Sequence, residues 1–120
     1  MPFVTVKRLP EDASTNQLLQ LRRDIVETVH REMGVKREHV GVNMPSDLID
    51  APLVSEDGAN TIQIELLTGL FATRNNANEL APRVTKALAT LVAKTFDGAF
   101  EAECFVIEVT PGWTSLVEAE

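Results

Sequence analysis

Cysteine occurs once in the 120 residues, at Cys104. A lone thiol excludes an intramolecular disulfide and any cysteine-built metal site, and it suits a reducing compartment. Positive charge is also scarce. Eleven Lys plus Arg stand against eighteen Asp plus Glu, giving a net charge of -7 and a pI near 4.8. That balance speaks against a protein that tracks a phosphate backbone, so no nucleic-acid partner is expected. No apolar run approaches the ~18 residues of a membrane span, and the N-terminus lacks the basic and apolar regions of a signal peptide. A cytoplasmic protein without a membrane partner is therefore expected. Phosphate loop, nucleophile-base triad and nucleotide fingerprint are missing as well. What remains is ordinary globular material, 44% hydrophobic and 24% charged, at a length that fits one domain able to bury roughly two-thirds of its unfolded surface.

Phe3, Val4, Thr5 and Val6 favour a strand that closes on the cationic pair Lys7 and Arg8. Ser14 followed by Gln17 resembles a capping box. Leu18, Leu21, Ile25, Val29 and Met33 then recur at helical spacing, and Gly34 sits where a helix stops. The pattern predicts a helix over Thr15 to Met33. A short strand over Val40 to Met44 follows, then an irregular connection from Pro45 to Asn60. A third strand is predicted over Thr61 to Leu67. Asn76 and Glu79 form a second cap-like pair ahead of a helix over Ala77 to Thr95, with Pro82 expected to bend or delay its first turn. Phe105 to Val109 alternates as a fourth strand before Pro111 and Gly112 turn the chain.

The order is β-α-β twice over, offset by 58 residues between Phe3 and Thr61 and by 62 between Thr15 and Ala77. The fold class expected is α/β (α+β): two consecutive β-α-β units making a four-stranded sheet with both helices on one face. One domain over residues 1–120 is expected, with internal repeats at about 1–45 and 60–110. On the other face Asn43, Gln63, Glu65 and Glu108 mix with Leu67 and Val106. Such a face either meets water, as in a ferredoxin-like monomer, or meets another subunit's sheet.

Pro2 stands directly ahead of the first strand. Removal of Met1 would leave a secondary amine fixed at a strand end. An α-amino group titrates near ~8 and burial lowers it, which suits a proton carrier at neutral pH. Met1-Pro2-Phe3-Val4, the doubled β-α-β plan, and Thr61-Ile62-Gln63-Ile64 leading through Gly69-Leu70-Phe71-Ala72-Thr73-Arg74-Asn75 together resemble the tautomerase superfamily. The length resembles its two-repeat branches, which include carboxymethyl-hydroxymuconate isomerase and macrophage migration inhibitory factor.

The resemblance implies an isomerase without cofactors, a homotrimer, and a small-molecule carboxylate as substrate. It implies Pro2 as catalytic acid/base and Arg74 as the fork that pairs with a substrate carboxylate and steadies a developing enolate. Arg8 and His39 are further candidates for substrate contact. Glu38 and Glu118 fall near auxiliary acids of the decarboxylase and dehalogenase branches. Gly41 stands where some members carry a second arginine, which argues against a dicarboxylate held between two opposed arginines. A hydratase, dehalogenase or decarboxylase on the same site is the alternative chemistry. A non-catalytic oligomer that keeps Met1 is the alternative class. His30 and His39 lack the spacing of a metal site and read first as solvated side chains, so no metal is expected. Cys104 reads as a packed small hydrophobe. Trp113 reads either as a cover for a neighbouring subunit or pocket, or as local packing.

Overall fold

The computed structural model describes residues 2–10, 12–45, 61–97, 100–109, 115 and 117. Six main elements follow in the expected order: β1 (Phe3–Lys7), α1 (Thr15–Met33), β2 (Gly41–Asn43), β3 (Thr61–Thr68), α2 (Ala77–Thr95) and β4 (Glu101–Glu108). Short 3₁₀ turns at Arg37–His39 and Leu70–Thr73 precede β2 and α2. The expected connection over Pro45 to Asn60 lies outside the described residues beyond Pro45, as does the Pro111-Gly112 turn.

Helix α1 starts where its cap demands. Ser14 is extended and its side chain accepts a hydrogen bond from the Gln17 N–H at 3.1 Å. It stops at Gly34, whose left-handed φ of 68° lets its N–H donate to the His30 carbonyl at 2.9 Å. The His30 ring Nδ1 lies 2.7 Å from the Val35 carbonyl. The ring thus braces the chain beyond the helix, a structural task in place of the solvated role expected of it.

Helix α2 departs from its expected cap. The Asn76 side chain makes no capping bond; the Glu79 N–H donates to the Asn76 backbone carbonyl instead, at 3.0 Å, beside the ordinary helical bond from the Leu80 N–H at 2.9 Å. Pro82 neither delays nor ends the helix, which runs from Ala77 to Thr95 around it. The ring is exposed, and the buried row Leu80, Val84, Leu88 and Val92 holds the turns before and after it against the core.

The sheet order is β2-β1-β3-β4. The outer pairs β1–β2 and β3–β4 are parallel and the central pair β1–β3 is antiparallel. The central register runs from Phe3 opposite Leu67 to Lys7 opposite Gln63, centred on Thr5 and Glu65. The two inner strands begin at Phe3 and Thr61, 58 residues apart. Val4, Val6, Val42, Ile62, Ile64 and Leu66 are buried on one face, and the inner rows of both helices pack in the same core.

Strand β4 corrects the expected boundary and the expected face. It begins at Glu101, four residues before the predicted Phe105, and pairs with β3 along its full length. Glu101 and Glu103 are exposed while Ala102 and Cys104 turn inward. Pairing, rather than the weak strand preference of these residues, makes them a strand. Val106 therefore packs toward the core and Glu108 shares the side of Thr68, while Phe105 and Ile107 join Leu67 on the open face. That face is more apolar than the sequence suggested: Phe3, Leu67, Phe105 and Ile107 are between 36% and 41% exposed. Among the described residues no helix is long and apolar enough to cross a membrane.

Candidate active site

Pro2 is buried at the head of β1. Its carbonyl accepts a hydrogen bond from the Gly41 N–H at 3.0 Å, which ties it to the start of β2. Because β3 runs antiparallel to β1, the C-terminal end of β3 arrives beside Pro2: Leu67 is opposite Phe3. The chain then leaves the sheet through Thr68 and Gly69. The Thr68 hydroxyl accepts from the Leu70 N–H at 3.1 Å, and its carbonyl accepts from Val109 at 3.0 Å. Buried Phe71 anchors the 3₁₀ turn, and its carbonyl accepts from the Arg74 N–H at 3.3 Å. Arg74 leaves that turn in extended geometry, half-buried, with no ion pair among the described residues. A guanidinium left without a carboxylate of its own is available to an anionic ligand.

The parallel pairing of β1 with β2 brings Glu38 and His39 to this same end, since they directly precede Val40 and Gly41. Both are exposed. Their turn is pinned to α1 by Arg37, which forms an ion pair with Glu27, one arm of it an Nη2 to Oε2 contact of 3.2 Å. The hydrogen bond from Arg37 holds the Glu27 carboxyl below its ordinary range, and the same bond raises the Arg37 guanidinium above its own. One end of the sheet thus collects Pro2, Glu38, His39 and Arg74.

Arg8 is elsewhere. It follows β1 at the end remote from Pro2, with φ at 65°, and its Nε is buried without a hydrogen-bond partner among the described residues. Glu118 and Trp113 lie outside the described residues. Cys104 is half-buried on the helix side of β4, and burial pushes its thiol up to about 12, so it is no nucleophile at neutral pH. Among the described residues no group of three or more His, Cys, Asp or Glu is placed to hold a metal ion. A groove of about 540 Å³ between α1 and α2 is lined by charged side chains such as Glu32, Arg83 and Lys86. Arg83 and Glu32 there satisfy one another at 3.1 Å.

One contact at the Pro2 end had no sequence signal. Phe3 is opposite Gly41 in the β1–β2 ladder, and a Cβ at position 41 would fall 2.7 Å from the Phe3 Cε1. The ring therefore occupies the space that any other residue's side chain would need. Nothing in the sequence links the two residues, and only the register pairs them.

No protein-family model and no curated protein sequence matches the chain. Solved structures do match it. A wild-type fused 4-OT in an asymmetric trimer is 14% identical, with a TM-score of 0.68 over 89% of this chain and 85% of that one. A malonate semialdehyde decarboxylase inhibited by 3-bromopropiolate is 13% identical, with a TM-score of 0.69 over 100% and 91%. A macrophage migration inhibitory factor-like protein from Entamoeba histolytica is 6% identical, with a TM-score of 0.66 over 98% and 95%.

Proposed function

We propose, from the tautomerase-superfamily fold that the chain shares with these structures, that it is a cofactor-free isomerase of a small 2-oxo or enol carboxylic acid. One observation carries the reading: buried Pro2 and Arg74, which has no ion pair among the described residues, come to the same end of the sheet from strands that begin 58 residues apart. With Met1 removed, the Pro2 nitrogen is a secondary amine in a desolvated setting, where the neutral base is favoured. It takes a proton from carbon beside a carbonyl and returns it at another atom. Arg74 pairs with the substrate carboxylate and stabilises the enolate that forms between the two transfers. His39 borders the substrate, and Glu38 is the acid that would assist a hydratase, dehalogenase or decarboxylase variant of this chemistry; Glu118 is the second candidate for that task. Arg8 reaches a substrate only from a neighbouring subunit, since its own chain holds it at the far end of β1.

The protein is read as one domain of two repeats, about 1–45 and 60–110, assembled as a cytoplasmic homotrimer. The exposed row of Phe3, Leu67, Phe105 and Ile107 supports the assembly, and the fused 4-OT it resembles is a trimer.

Intact-mass measurement of the protein from its own cell comes first. Loss of Met1 is expected, and a retained Met1 leaves an amide that sinks the acid/base role. Ketonisation of phenylenolpyruvate is then followed in Pro2→Ala and Arg74→Ala variants. Roughly 10²-fold or greater loss is expected in each; wild-type rates in both would remove this site from the mechanism. Product analysis with malonate semialdehyde separates decarboxylation from proton transfer.

A further inference from the structure

A residue just ahead of the first strand is anchored only by the contacts made there. Pro2 is held on its backbone by the Gly41 N–H, at 3.0 Å from its carbonyl oxygen. Among the described residues that bond lies at the edge of the sheet, because β2 has only three residues and β1 is its one strand neighbour. An edge bond at a strand end is open to water and weak on its own. The Phe3 ring changes this. It lies across Gly41 on the open face, inside the space of a Cβ at that position. Its own backbone is opposite Gly41 on one side and Leu67 on the other. Within the single chain Phe3 is nonetheless 41% exposed, so that chain's own core does not dictate where its ring goes. What lets the ring lie there is the missing side chain at 41.

We infer that Phe3 and Gly41 act as a positioning pair for the Pro2 nitrogen. The ring shields the Gly41 N–H to Pro2 carbonyl bond from water, and the glycine is the only residue type that leaves the ring that berth. Neither residue exchanges a proton with substrate. Together they keep the residue that does so in a fixed and desolvated setting. The inference deepens the reading of Pro2 as acid/base and rests on it for its catalytic consequence, but its structural content stands by itself.

Two measurements test it. The first is hydrogen exchange at the Gly41 amide, read by NMR, in the wild type and in Phe3→Tyr, Phe3→Ala and Gly41→Ala. Exchange at least about tenfold faster is expected in the alanine variants, with Phe3→Tyr close to wild type because the ring is kept. The second is the kcat and pH profile with phenylenolpyruvate. A misplaced general base costs turnover more than binding, so kcat is expected to fall about tenfold in both alanine variants with KM nearly unchanged. The limb of the profile set by the Pro2 amine should also move to higher pH as water reaches it. Phe3→Tyr again behaves as wild type.

Unchanged Gly41 exchange in Phe3→Ala overturns the inference. So does a rise in KM alone, which would make Phe3 a substrate contact and not a positioning residue. If Pro2→Ala keeps full activity, the functional reading fails by itself, and the exchange measurement still decides whether the pair holds Pro2.

Discussion

Cys104 shows how position in the fold sets the chemistry of a single side chain. On the core side of β4, burial raises its thiol from 9.0 to about 12. An alkylating reagent at pH 8 should leave it unmodified in the native protein and modify it fully in denaturant, as peptide mass mapping would show. The same shift is a statement about stability. The unfolded chain loses the proton above about 9 while the folded one keeps it to about 12. Stability from this group is thus complete below pH 9 and declines as pH rises from there toward 12. Urea midpoints of the wild type should fall over that window more steeply than those of Cys104→Ala.

Among the elements, α1 gives a direct test of local backbone physics. Gly34 ends the helix at φ 68°, and a Cβ there would meet nothing within 4 Å. Gly34→Ala should therefore cost only the left-handed backbone penalty, about 1 kcal/mol, measured as a lowered urea midpoint with an unchanged slope. Both helix spans were legible in the sequence because their buried rows repeat at helical spacing and because a stop signal or a change of pattern follows each. The fourth strand was only half legible. Glu101 and Glu103 read as surface charge, and nothing local says that Ala102 and Cys104 face a core. Continuous parallel pairing with β3 decides it. The cap of α2 departs from its expected form for a related reason: the Asn76 backbone carbonyl takes the Glu79 N–H that its side chain would have capped.

For the molecule as a whole, the open sheet face is the feature that asks for a partner. Four large apolar side chains lie there, beside a Lys7–Glu65 ion pair of 3.0 Å whose partly exposed groups contribute little. A Phe105→Asp variant should therefore shift the proposed trimer to monomer in light scattering at micromolar concentration, while far-UV circular dichroism keeps its helical signal. A trimer that survives the substitution would mean that this face does not form the interface.

Local pattern was enough to determine the order of elements, the two helix spans and the doubled β-α-β plan, and to single out Pro2, whereas Arg74 entered through the family resemblance. The local readings depend on periodicity, caps and residue chemistry, all of which act over a few neighbours in the chain. The tertiary structure decided which of the candidates share an end of the sheet. It set Pro2, Glu38, His39 and Arg74 together, left Arg8 at the opposite end, and laid the Phe3 ring on Gly41. The reason is physical: strand direction and register are fixed by contacts between segments tens of residues apart, and a side chain's own neighbours carry no record of them.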